Sequence, residues 1–191
     1  MNLFDQKKAA RVSAAVVRKA AHETLHDSAG LALAAHEFPA LPVEGASVVS
    51  AFYPFRSEID TRPLLGKLVG DGWTTSLPII VGPNLPLLFR RWYPGEPTIA
   101  GGMNILRPTD DAPEVEPDVL IVPLLEFDAQ GFRLGYGGGF YDRTLTALRA
   151  KKKIIAIGAG YAAQEVENVP HESYDQKLDF VMTEKGIITC G

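Results

Sequence analysis

The hydrophobic pattern changes period along the chain, from helical texture at the start to short apolar runs bounded by Pro, Gly, Asp and Ser. Residues 5–36 are rich in Ala, Leu, Lys, Arg and Glu and predict one or two helices, with Ala9, Val12, Val16 and Ala20 on a buried face. The apolar run 46–53 stops at Pro54 and has the look of a buried strand. Asp60-Thr61-Arg62-Pro63 opens a second helix, with Thr61 as its N-cap and Leu64, Leu65, Leu68 and Val69 on one side. Gly70-Asp71-Gly72 ends it. Strands are expected at 74–81, 87–92, 118–123, 153–158 and, as the last, 179–183, with a helix over 140–149. Residues 94–117, dense in Pro, Gly, Asp and Glu, read as a long irregular connection inside one domain. Strands alternating with helices argue for an α/β domain with a mainly parallel sheet.

A length of 191 residues fits a single domain, 1–191, against a prior of roughly 100–200 residues per domain. With 46% hydrophobic and 22% charged residues, disorder and fibrous repeats are excluded. Nineteen basic against 23 acidic residues give a net charge of −4, so no global positive field gathers nucleic acid. An anionic partner has to be held by a local cluster. Cys190 is the only cysteine, so no intramolecular disulfide forms. No apolar stretch follows Lys7-Lys8, and no run has the length of a membrane span. The expectation is a cytoplasmic protein without a membrane partner.

The densest chemical signal is Arg133-Leu134-Gly135-Tyr136-Gly137-Gly138-Gly139-Phe140-Tyr141-Asp142-Arg143, placed where a strand and turn pass into a helix. Glycines let the backbone approach a ligand and expose successive N–H groups, which at a helix N-terminus makes an anion site. Arg133 adds a forked, permanently charged donor for phosphate. Asp142 offers a hard oxygen of the kind Mg²⁺ takes beside a nucleotide. The bland alternative is a flexible glycine turn. The loop is neither a dinucleotide fingerprint, because Phe140 stands at its last glycine, nor a Walker A loop, because Gly-Lys-[Ser/Thr] is missing.

Residues 118–145 resemble the 5-formyltetrahydrofolate cyclo-ligase family, also called methenyltetrahydrofolate synthetase. The likeness extends along nearly the whole chain. Lys7-Lys8-Ala9-Ala10-Arg11 resembles the family's Lys-x-x-x-Arg, Glu58-Ile59-Asp60-Thr61 its Glu-Ile-Asp/Glu-Thr, and Pro170 to Asp175 its Pro-x-x-x-x-Asp, followed by Thr183-Glu184. The resemblance implies a three-layer α/β fold of the sugar-isomerase (NagB/RpiA) and CoA-transferase-like type. It implies ATP- and Mg²⁺-dependent closure of 5-formyltetrahydrofolate to 5,10-methenyltetrahydrofolate by a monomer.

Carried over residue by residue, the resemblance assigns ATP to Lys7, Lys8, Arg11, Arg133, Leu134, Gly135, Tyr136, Gly137, Gly138, Gly139, Phe140 and Tyr141. Tyr136 to Phe140 also face the folate, with Tyr53 and Glu58 at the pterin. Asp142 and Asp175 take Mg²⁺, and Arg133, Tyr141 and Asp142 are the catalytic set. Phe52, Phe55, Trp92 and Tyr141 are candidates for stacking on a flat ring, with core packing the default for each. Three positions depart from the family pattern: Phe140 for a common Tyr, Glu126 for a small residue, and Arg107 for Glu or Gln.

Two alternatives stand beside this reading. One is a relative that binds folate or nucleotide without turnover. The other is a zinc peptidase, since His22-Glu23-Thr24-Leu25-His26 fits H-E-x-x-H, although Ala32 stands where the extended motif has a third ligand.

Overall fold

The computed structural model describes residues 2–39 and 47–191. The N-terminal segment is one continuous helix, α1 (Leu3–Ala35), started by Asn2, whose Oδ1 accepts the Asp5 amide at 2.9 Å. Its buried face is not the expected one. Val12 and Val16 are 67% and 66% exposed, whereas Ala14, Arg18, Ala29, Gly30 and Leu33 are buried. The helix rests its C-terminal half on the hydrophobic core, but its N-terminal half lies over a polar cleft. There the inner positions, spaced three and four apart, are Lys7, Arg11, Ala14 and Arg18.

Strand β1 (Val48–Ser50) begins inside the predicted run; Ala46 lies outside the described residues. Helix α2 (Arg62–Gly70) buries Leu64, Leu65 and Leu68, while Val69 is 37% exposed. Thr61 precedes it but does not cap it with its side chain. Its hydroxyl instead donates to Phe52 O at 2.6 Å, and Asp60 Oδ1 accepts the Arg62 amide at 2.9 Å.

The strands that follow are β2 (Thr74–Ile79), β3 (Leu88–Arg91), β4 (Thr98–Ala100), β5 (Leu106–Pro108), β6 (Val119–Pro123), β7 (Glu126–Phe127) and β8 (Arg133–Leu134). After them come α3 (Phe140–Arg149), β9 (Ile155–Ala159), β10 (Phe180–Thr183) and β11 (Gly186–Thr189). The connection read as irregular holds the antiparallel ribbon β4–β5, and β11 follows the strand expected to be last.

Seven strands form one sheet in the order β11-β10-β9-β6-β1-β2-β3. The inner five run parallel, and β3 and β11 are added antiparallel at the two edges. Alternation along β6 sends its side chains into two cores. Val119 and Ile121 pack with Leu33, Leu64 and Leu65 of α1 and α2, and Leu120 and Val122 pack with Leu145 and Leu148 of α3. The result is the expected three layers around a mainly parallel sheet. Each fully buried Leu of these faces contributes about 1.5–3 kcal/mol relative to exposure.

Gly30 marks where α1 comes closest to the loop before α2. A Cβ there would stand 2.6 Å from Asp60 O. This close approach brings the helix and residues 57–61 together, so that a residue of α1 reaches Ser57 and Glu58.

Candidate functional site

The carboxyl ends of β1, β2 and β6 open onto a cleft of 1210 Å³. On one side of it the chain runs from β1 to β2, and on the other from β6 to β9, so the cleft lies where strand order reverses. Open α/β sheets leave a ligand crevice at that point. Residues that follow these strands line it, among them Phe52, Tyr53, Ile80 and Leu124.

β8 leads straight into the glycine loop, which lines the cleft from Gly135 to Gly139 before α3 begins at Phe140. Arg11 of α1 holds this loop, its Nε donating to Gly135 O at 2.9 Å. Gly137 has φ 97°, and a Cβ there would stand 3.2 Å from the Arg11 guanidinium carbon. The left-handed backbone favours glycine at this position, and a Cβ would oblige the Arg11 guanidinium to give by a few tenths of an ångström.

Three carboxylates meet the basic residues in the same cleft. Lys7 Nζ donates to Asp175 Oδ2 at 2.7 Å and to Glu172 Oε2 at 2.8 Å. Burial works against the Lys7 charge, but these two bonds outweigh it and hold the amine above its ordinary value. Arg133, with a side chain 5% exposed, donates to Asp142 Oδ1 at 2.9 Å and to the Gln176 carbonyl. The Gln176 amide donates to the same Asp142 oxygen at 3.0 Å.

Glu58 lies on the cleft wall, almost fully buried, its Oε2 accepting the Phe55 amide at 2.9 Å. Burial pushes its carboxyl up to about 7, against the opposing effects of that amide and of Arg18. Burial, and after it the Glu58 charge, also raises the Tyr141 hydroxyl.

Of the residues expected in the site, Lys7, Arg11, Tyr53, Glu58, Asp142, Asp175 and all of Arg133 to Tyr141 line this one cleft. Lys8 does not: one step around the helix from Lys7, it faces solvent. Phe52, Phe55 and Tyr141 line the cleft as well. Trp92 belongs to the core, its indole N–H donating to Glu96 O at 3.1 Å.

A profile of the 5-formyltetrahydrofolate cyclo-ligase family matches residues 5–184. The chain belongs to that family. It is 38% identical over 147 residues to the 5-formyltetrahydrofolate cyclo-ligase of Escherichia coli K12, spanning 74% of this chain and 80% of that one. The Mycolicibacterium smegmatis cyclo-ligase is 33% identical over 157 residues, spanning 78% and 79%. The solved structure of Aquifex aeolicus 5,10-methenyltetrahydrofolate synthetase superimposes with a TM-score of 0.75 at 25% identity, covering 96% of this chain and 92% of that one.

The departures from the cyclo-ligase pattern fall in different places. Glu126 is buried in β7 and does not line the cleft, so it adds no charge there. Arg107 does line it, with Nη1 2.6 Å from Asp110 Oδ1. Phe140 lines it beneath the Arg143 guanidinium, 5.4 Å from the ring centroid. The H-E-x-x-H histidines lie outside the cleft. His22 Nδ1 pairs with the Tyr161 hydroxyl at 3.0 Å, and His26 Nδ1 with the His22 carbonyl at 3.0 Å. Among the described residues no group of three or more His, Cys, Asp or Glu is placed to hold a metal ion.

Sequence reasoning missed Glu172, Arg143 and Arg56, which line the cyclo-ligase cleft, and Arg18, which stands behind it. The signal for Arg18 was its spacing of seven from Arg11, two helical turns along the same face.

Proposed function

We propose that this cleft performs the family's reaction: ATP-dependent conversion of 5-formyltetrahydrofolate to 5,10-methenyltetrahydrofolate, with release of ADP and phosphate. The observation that carries the reading is the meeting, in one cleft, of two different grips. Lys7, Arg11, Arg133 and the glycine loop at the start of α3 suit a polyphosphate. Glu58, buried among Phe52, Tyr53 and Phe55, suits the amino-pyrimidine edge and flat face of a pterin.

The chemistry needs positioning and charge more than a protein nucleophile. The formyl oxygen attacks the γ-phosphorus, and ADP leaves. The neighbouring amine of the same substrate then attacks the activated carbon, the C–O bond to phosphate breaks, and the amine proton is lost as the ring closes. Both reacting nitrogens belong to one molecule, so holding its conformation supplies much of the rate. Arg133 and Lys7 would balance the charge that develops on the transferring phosphoryl group.

Asp142 and Asp175 suit Mg²⁺, an all-oxygen pair of the kind that holds this ion through one or two carboxylates and substrate phosphates. The bonds to Asp142 go to Oδ1, and those to Asp175 go to Oδ2. Each carboxylate therefore keeps a second oxygen for the ion. Bound there, Mg²⁺ would neutralise phosphate charge.

The same reading has residues 1–191 working as one domain and as a monomer, in the cytoplasm, with no nucleic-acid or membrane partner. Among the described residues no helix is long and apolar enough to cross a membrane. The test is near-ultraviolet absorbance of the methenyl product, with 5-formyltetrahydrofolate, ATP and Mg²⁺. A band that grows only with both ATP and metal supports the ligase. A flat trace, with both ligands binding by calorimetry, favours a relative that binds without turnover.

A further inference from the structure

Arg18 is 3% exposed, an unusual place for a guanidinium on a helix with so much open surface. Its Nε donates to Ser57 Oγ at 3.2 Å, and its Nη2 donates to the Tyr136 hydroxyl in the glycine loop. Its Nη1 is buried with no hydrogen-bond partner, 3.7 Å from Glu58 Oε1. A buried donor left unpaired costs about 1–3 kcal/mol, so such a group calls for an explanation. Arg18 does not line the cleft, whereas two of the residues it reaches, Glu58 and Tyr136, do.

We infer that Arg18 is a positioning residue: from behind the cleft wall it holds Glu58 as the anion that accepts the paired ring N–H groups of the substrate, and ties that carboxylate to Tyr136 of the phosphate loop. The inference rests on Glu58 being the folate contact proposed above. Glu58 faces Arg18 from α1, the Tyr141 hydroxyl from α3 and the Phe55 amide from its own loop. Among these Arg18 is the positive charge, and burial opposes it. When two ring N–H donors reach Glu58, the carboxylate must be ionised to accept both. The unpaired Nη1 is the donor placed to close onto it as the anion forms. Because one guanidinium reaches both residues, a substrate edge on Glu58 and the glycine loop that carries Tyr136 share a support.

The experiment is the pH profile of kcat/KM for 5-formyltetrahydrofolate at saturating ATP, measured for the parent, R18Q, R18K and E58Q. The parent is expected to lose activity below an acid limb near 7. Removing the positive charge in R18Q moves that limb up by about one pH unit and raises KM for the folate more than it lowers kcat at high pH. R18K keeps the charge and returns the limb to the parent position, while its lost fork leaves KM raised. An R18Q limb that coincides with the parent's, with activity reduced at every pH, overturns the inference in favour of a merely structural arginine. An R18K limb displaced as far as that of R18Q overturns it too. If R18Q does not fold, R18M, which keeps the apolar stem and removes the charge, takes its place in the same comparison of limbs. E58Q should lack the limb; retention of it there faults the assignment of Glu58 to the folate, a separate failure from that of Arg18.

Discussion

Arg133 Nη2 stands 2.9 Å from Asp142 Oδ1, so the cation that begins the glycine-loop segment is paired with the carboxylate in the first turn of the helix that follows it. The pair closes the loop between them, and the Gln176 amide bonds the same oxygen, tying in the C-terminal segment that carries Asp175. Replacing Asp142 by Asn keeps an acceptor for both donors but removes the charge a divalent cation needs. Asp142→Asn should lower Mg²⁺-dependent turnover by at least about 100-fold with little change in melting temperature. A Mg²⁺ titration of methenyl formation checks this, and full activity in the variant would refute the metal assignment.

Gly137 is favoured by its φ of 97°, and a Cβ there would stand 3.2 Å from the guanidinium carbon of Arg11. An alanine there pays the left-handed penalty of roughly 1–2 kcal/mol and presses on the Arg11 guanidinium that holds the Gly135 carbonyl. Gly137→Ala is expected to weaken ATP binding about tenfold, the equivalent of about 1.4 kcal/mol. Isothermal calorimetry with ATP reads the effect. Unchanged affinity would mean that the Arg11 anchor does not shape the nucleotide site.

How far the sequence foretold this arrangement differs from element to element, for physical reasons. α3 was legible because four glycines stop abruptly where an amphipathic helix begins, and β6 because a fully buried parallel strand reads as an uninterrupted apolar run. β4, β5 and β11 were not, being only three or four residues long, too short to show a period. On α1 the valines misled, because the helix turns its basic stripe inward where carboxylates and a carbonyl receive it. Glu58 and Asp175 were visible only through the family resemblance. Alone, each is one carboxylate among many, and their meeting depends on a sheet joining residues more than a hundred positions apart.

The histidine pair offers a separation of stability from activity. Tyr161 is 1% exposed, and its hydroxyl pairs with His22 Nδ1 at 3.0 Å. His22→Ala leaves that buried hydroxyl without its partner, at a cost of about 1 kcal/mol. A drop of a few degrees in melting temperature is expected, with methenyl formation unchanged and no stoichiometric zinc in the dialysed parent. Loss of turnover at full stability would return the H-E-x-x-H motif to consideration.

Glu58 carries the clearest conflict between folding and function. Its carboxyl is raised from 4.5 to about 7 by burial, so the folded chain binds its proton more tightly than the unfolded chain does. A group of this kind favours the fold fully below its unfolded value, and that contribution is lost as pH rises through the folded value. The contribution of Glu58 to stability should therefore fall away between about pH 4.5 and 7. Glu58→Gln, neutral at every pH, should show no such loss: matched to the parent at pH 4, it should be more stable at pH 8 by as much as about 3 kcal/mol. Urea unfolding at the two pH values measures the difference, and its absence would mean that Glu58 is already stabilised as an anion in the free protein. With the expected result, a carboxylate that costs the fold stability near neutral pH is the one the proposed pterin contact requires in its charged form, which is the pattern of a residue retained for binding rather than for stability.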